Sequence, residues 1–82
     1  MKVFFKFRSE ADESARRRVI RQLREQGATR VRRLFPRTDD AGLRDRYVAE
    51  TPTERRVNAL VDFLRGQAAI AFAQHEVVRR PP

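Results

Sequence analysis

Apolar residues recur along this chain with two periods, and the alternation between them predicts six elements of secondary structure. A period of two marks strands: Val3, Phe5 and Phe7 fall on one face of the first segment. A period near 3.6 marks helices, most strictly in the i, i+3, i+4, i+7 stripe that begins at Val57. The predicted strands cover residues 1–8, 28–35, 43–51 and 68–74, and the predicted helices run from Ser9 to about Gln26 and from Thr51 to Gly66.

Capping residues support both predicted helices. Ser9 is a favourable N-cap, Asp12 follows it three residues later, and Gly27 is placed to close the first helix. The Thr-Pro-Thr-Glu run at residues 51–54 predicts a capping box, with Thr51 as N-cap and proline at the first helical position. Each helix therefore has a defined predicted start and end.

The element order is βαββαβ, which predicts an α+β, ferredoxin-like sandwich. Short connections and right-handed crossovers give a four-stranded antiparallel sheet in the order 4-1-3-2, with both helices on one face. We expect one domain at residues 1–75 and an extended C-terminal tail at residues 76–82. The predicted core consists of Val3, Phe5, Phe7, Val19, Leu23, Val31, Tyr47, Val57, Leu60, Val61, Leu64, Ile70 and Phe72. On the uncovered face of the sheet we expect Phe4, Val48, Ala69, Ala71 and Ala73.

Composition narrows the function classes. The 82 residues include no cysteine and one histidine, so we predict no metal site, no cofactor and no disulfide. His75 lies beside the tail without a predicted nucleophile nearby, and we predict that the protein is not an enzyme. No segment resembles a signal peptide or a membrane span, so we expect a complete chain to be cytoplasmic.

The formal net charge of +8 raises the question of a polyanionic partner. The basic residues are spread through every segment and are nearly all arginine, which favours an ordinary solvated surface. An RNA-recognition sheet would carry aromatic residues on its two central strands. Phe4 fits that pattern, but the third strand lacks the Gly-Phe-containing signature.

Five features follow one another in a suggestive order. They are the strand Val-Phe-Phe-Lys-Phe at residues 3–7, a helix ending in Gly27-Ala28, the strand Tyr47-Val-Ala-Glu, the Thr-Pro-capped helix, and the closing run Ile70-Ala-Phe-Ala-Gln-His-Glu-Val-Val. In order and spacing they resemble the propeptide domain of subtilisin-like serine proteases, a family that includes free-standing protease inhibitors. The resemblance spans nearly the whole chain.

This resemblance implies an inhibitor or folding chaperone of a subtilisin-like serine protease, acting in cis or in trans. As a fragment of a protease precursor, the chain would be secreted and not cytoplasmic. In the family the open sheet face packs on two surface helices of the protease, and an acid after the last strand caps those helices. The tail then lies in the substrate cleft as an added strand. Carried over to this chain, the sheet-face contacts are Phe4, Val48, Ala71 and Ala73. The tail contacts are Glu76, Val77, Val78, Arg79, Arg80, Pro81 and Pro82.

The alternative prediction is a basic ferredoxin-like domain that binds nucleic acid or an acidic protein. It depends on the charge of +8 and on Phe4 lying among cations. Neither prediction involves a membrane.

Overall fold

The computed structural model describes residues 1–76 and contains four strands and three helices. The strands are β1 (Lys2–Phe7), β2 (Arg30–Arg33), β3 (Arg46–Glu50) and β4 (Ile70–His75). The helices are α1 (Glu13–Glu25), the short α2 (Ala41–Arg44) and α3 (Glu54–Arg65). Within residues 1–76, no helix is both long enough and apolar enough to cross a bilayer.

The four strands form one antiparallel sheet in the order β2-β3-β1-β4, which is 4-1-3-2 read from the other edge. Central strand β1 pairs with β3 and with β4, and β2 extends the sheet beyond β3. The α+β, ferredoxin-like arrangement predicted from the alternation of periods is confirmed. Strands β2 and β4 are therefore the two edges of the sheet.

Both long helices pack their apolar stripes against the same face of the sheet, called the inner face below. The stripes work because residues three and four apart lie on one side of a helix, so each contributes a continuous apolar surface. The resulting core cluster contains Val3, Phe5, Phe7, Val19, Leu23, Ala28, Ala49, Val57, Leu60, Val61, Leu64, Ile70 and Ala73. Val31 and Tyr47 are partly buried against it.

The predicted N-caps of both long helices are wrong by a few residues. Helix α1 is capped by Asp12, whose Oδ1 accepts a hydrogen bond from the Ala15 amide at 2.7 Å. Helix α3 is capped by Thr53, whose hydroxyl accepts from the Arg56 amide at 3.3 Å. Thr51 is buried instead, and its amide donates to the Met1 carbonyl, so it belongs to the end of the sheet.

Removing the Asp12 cap should destabilise the protein measurably. We expect Asp12→Ala to lower the free energy of unfolding by about 1 kcal/mol, because the Ala15 amide loses its acceptor. Within residues 1–76, the Ser9 hydroxyl hydrogen-bonds only the neighbouring Glu10 side chain, so Ser9→Ala should change that energy by less than about 0.5 kcal/mol. Urea denaturation of the two variants measures both, and a larger loss for Ser9→Ala would contradict this helix start.

The middle of the chain has shorter strands than the pattern predicts. Strand β2 ends at Arg33, and Phe35, at the end of the predicted strand, is 39% exposed. Part of the predicted third strand is the short α2, which Asp40 caps by accepting from the amides of Gly42 and Leu43. An aspartate that satisfies local amides in this way competes with strand pairing.

A β-bulge in β4 reverses the predicted facing of its second half. Lys6 pairs with Phe72 but Phe7 pairs with Ile70, so Ala71 has no partner on β1. Beyond the bulge, Ala73 faces the core and is 5% exposed, whereas Phe72 is turned out and is 36% exposed. The prediction of Phe72 as core and Ala73 as surface is therefore wrong, because strict alternation assumes an unbroken ladder.

One ion pair, between the partly buried Arg16 and the buried Asp45, joins three parts of the fold. Arg16 Nη1 donates to Asp45 Oδ1 at 2.7 Å, and the two side chains are 21% and 10% exposed. The same guanidinium donates to the carbonyls of Ala11 and Arg8, at 2.9 and 3.1 Å, and lies 5.3 Å from the Phe7 ring centroid. Arg16 thus holds the start of α1, the end of β1 and the entry to β3 together.

Candidate functional site

The sheet face opposite the helices is uncovered within residues 1–76, and we call it the open face. The strand register arranges its side chains in three rows that cross the sheet. The terminal row contains Arg30, Glu50, Lys2 and Glu76. The two further rows, together called the cationic patch, contain Arg32, Val48, Phe4 and Gln74, and then Leu34, Arg46, Lys6 and Phe72.

Glu76 is held at one corner of this face. Its backbone amide donates to the Lys2 carbonyl at 2.9 Å, which continues the pairing of β4 with β1 by one residue past His75. The Glu76 side chain is exposed. The backbone that carries this carboxylate is therefore held at a corner of the open face.

The charges on the open face are unevenly distributed. Both acids, Glu50 and Glu76, lie in the terminal row, where Arg30 and Lys2 balance them. The cationic patch holds Arg32, Arg46 and Lys6, without an acid. Within residues 1–76, none of these five cations has a carboxylate within 4.0 Å, since the ion pairs there are Arg16–Asp45, Arg17–Glu13 and Arg21–Glu25.

The cationic patch also carries two aromatic side chains. Phe72 is 36% exposed and Phe4 is half-buried. The Arg46 guanidinium reaches across Lys6 and lies over the Phe72 ring, 5.3 Å from its centroid. A shallow cavity of about 180 Å³ lies beside these side chains. It is lined by Phe4, Phe5, Leu34, Arg46, Tyr47, Phe72 and Gln74.

The predicted sheet-face residues do not form one contact surface. Phe4 and Ala71 are accessible, as a contact role requires. Val48 lies on the open face but is fully buried, between the larger side chains of Phe4 and Arg32 in its row. Ala73 lies on the inner face, in the core. The predicted contact roles of Val48 and Ala73 therefore need correction, because neither side chain presents surface to a partner in this structure.

The outer edge of β4 is partly blocked. Arg65, in the last turn of α3, donates from Nε to the Ala73 carbonyl at 3.3 Å. Arg65 lies outside the sheet, so its hydrogen bond occupies the Ala73 carbonyl, which a strand added at this edge would need as an acceptor. The open face is therefore a better docking surface than this edge.

Of the predicted tail residues, the structure describes only Glu76. Val77, Val78, Arg79, Arg80, Pro81 and Pro82 lie outside the described residues. His75 is exposed, and its ring Nδ1 lies 3.5 Å from the Glu76 carbonyl. Within residues 1–76, no three His, Asp or Glu side chains are grouped to hold a metal ion.

The sequence pattern does not identify Phe72 as a surface residue of the open face. Phe72 follows Ile70 at strand spacing, and nothing in residues 68–74 distinguishes a bulged strand from a regular one. The contact of Arg46 with Phe72 depends on the same bulge, so the sequence does not predict this contact either.

A scan of protein-family models finds none that matches this chain, and a search of curated proteins likewise finds no match.

Proposed function

We propose that this protein is an inhibitor or chaperone module of the subtilase-propeptide type. It docks the terminal row of its open face on a subtilisin-like serine protease, in cis or in trans. The chain beyond Glu76 then enters the substrate cleft as an extended strand. The observation that carries the proposal is the position of Glu76, exposed and tied by its amide to Lys2 at a corner of an uncovered sheet face.

An exposed carboxylate at this corner suits the N-terminus of a partner helix. The first turn of a helix carries unpaired amide N–H groups and the positive end of the helix dipole, so it binds an anion favourably. The hydrogen bond from the Glu76 amide to the Lys2 carbonyl removes backbone freedom before binding, which lowers the entropic cost of presenting the carboxylate. Glu50, in the same row, supplies a second acid.

The same corner sets the direction of the following chain. Glu76 is paired with β1 at a corner of the open face, so we expect the chain that follows it to start next to a partner bound there. A segment anchored this way reaches the cleft at a high effective concentration once the face is docked. The proposal therefore assigns most of the inhibition to residues 77–82 and the docking to the terminal row.

Inhibition assays against a panel of subtilisin-type serine proteases test this function. We expect the full chain to inhibit at least one of them, and a chain ending at Glu76 to inhibit it at least about 10-fold more weakly, because the strand pairing in the cleft is lost. The shortened chain keeps the whole of β4 and the hydrogen bond from the Glu76 amide to the Lys2 carbonyl. Its circular dichroism and melting temperature should therefore match those of the full chain.

A charge variant separates docking from cleft binding. We expect Glu76→Gln to weaken inhibition about 5-fold, which corresponds to the loss of a charge–dipole contact. Glu25→Gln is the matched control, because it removes an exposed acid from α1 on the other side of the molecule. Absence of inhibition across the panel, or equal inhibition by the full and shortened chains, would overturn the proposal.

A further inference from the structure

The cationic patch is chemically different from the terminal row. It presents Arg32, Arg46 and Lys6 without an acid, and it carries Phe4 next to Lys6 on the open face of β1 and Phe72 opposite Lys6 on β4. Lys6 pairs directly with Arg46 on one side and with Phe72 on the other. Like charges placed opposite each other in a sheet destabilise it, so this arrangement gains stability when an anion binds.

The donors of the patch have capacity for an added ligand. Within residues 1–76, Lys6, Arg32 and Arg46 form no ion pair, so an incoming anion does not have to displace a carboxylate. The Arg46 guanidinium lies over the Phe72 ring instead of pairing with a carboxylate. A flat guanidinium on an aromatic ring is a surface on which a planar base stacks, and it also attracts phosphate.

We propose that the cationic patch binds single-stranded nucleic acid. Phosphates contact Lys6 and Arg32, and bases stack on the Phe72–Arg46 pair and on Phe4, with the shallow cavity between these aromatic groups receiving a base edge. Gln74, which lines that cavity, offers an amide for hydrogen bonds to the base. This activity goes beyond the proposed inhibitor function and depends on different rows of the open face.

The combination of charge and exposed rings favours a single strand over other polyanions. A duplex keeps its bases stacked inside, so it would use the cations and leave Phe72 without a role. An acidic protein surface would pair its carboxylates with the cations one by one, and those carboxylates do not stack on the rings. An unpaired strand supplies phosphates and accessible π-faces together.

Fluorescence anisotropy with the full-length protein and a labelled oligothymidine about 12 nucleotides long tests the proposal. Affinity should fall steeply with salt, because each neutralised phosphate of a single strand contributes a slope of about −0.7 to log K against log salt. We expect Phe72→Ala to weaken binding about 10-fold. Phe35→Ala is its matched control, since Phe35 is exposed to a similar extent but lies past the end of β2, and it should change nothing.

Charge variants complete the experiment. Arg32→Gln should make the salt slope shallower by about 0.7, whereas Arg21→Gln, on the exposed side of α1, should leave it unchanged. Equal effects of Arg32→Gln and Arg21→Gln would indicate diffuse attraction to the net charge and overturn the proposal. So would unchanged binding by Phe72→Ala, equal affinity for a duplex of the same length, or equal affinity for polyglutamate, which would indicate an acidic protein partner.

Discussion

Replacing Arg16 by methionine is expected to lower the free energy of unfolding by about 3 kcal/mol or more. The loss comes mainly from Asp45, which stays 7% exposed and loses the guanidinium that lies 2.7 Å from its Oδ1. A buried carboxylate without a partner is costly, whereas the methionine keeps much of the packing of the arginine stem. The carbonyls of Ala11 and Arg8 lose a donor as well.

The adjacent residue provides a matched control. Arg17 also pairs with an acid at 2.7 Å, but Arg17 and Glu13 are 76% and 78% exposed, so Arg17→Met should change stability by less than about 0.5 kcal/mol. Adding Asp45→Asn to Arg16→Met should recover part of the loss, because it removes the unpaired charge. Urea denaturation measures all three, and similar losses for Arg16→Met and Arg17→Met would refute a structural role for the buried pair.

Ala73→Asp is expected to destabilise the protein by about 3 kcal/mol or more, whereas Ala71→Asp should cost less than about 0.5 kcal/mol. Ala73 is 5% exposed and belongs to the core cluster, so an aspartate there places a charge among apolar side chains. Ala71 is exposed at the bulge and has no partner on β1. The two alanines are two residues apart and would face the same way in a regular strand.

Thermal and urea denaturation of these two variants therefore tests the bulge itself. An unbroken strand, in which Phe72 is buried and both alanines are exposed, predicts that neither substitution matters much. Similar small losses for Ala71→Asp and Ala73→Asp would rule out the observed register. A loss confined to Ala73→Asp would also establish Phe72 as a surface residue, on which the nucleic-acid proposal depends.

The residue pattern predicts the architecture well because the architecture follows from burial. The stripe that begins at Val57 and the alternation of Val3, Phe5 and Phe7 leave few ways to hide apolar surface. Given six elements in this order, the handedness of the crossovers selects the strand order that is found. Local capping choices were less well determined, because Ser9 and Asp12, or Thr51 and Thr53, are chemically equivalent as caps.

The candidate site was predictable only in part. The position of Glu76 just after the last strand follows from the sequence, and so does the presence of Phe4 on the open face. The exposure of Phe72 does not, since its sequence neighbours are compatible with either facing. The burial of Val48 also depends on which longer side chains lie across the sheet from it.

By itself, then, the sequence determines the class of fold, the order of its elements and the inner face of β1, because each depends on the periodicity of nearby residues. Three features depend on residues far apart in the chain: the bulge at Ala71, the Arg16–Asp45 pair and the separation of the open face into a terminal row and a cationic patch. Strand register and long-range ion pairs arise from contacts between distant segments, and local periodicity contains no information about them.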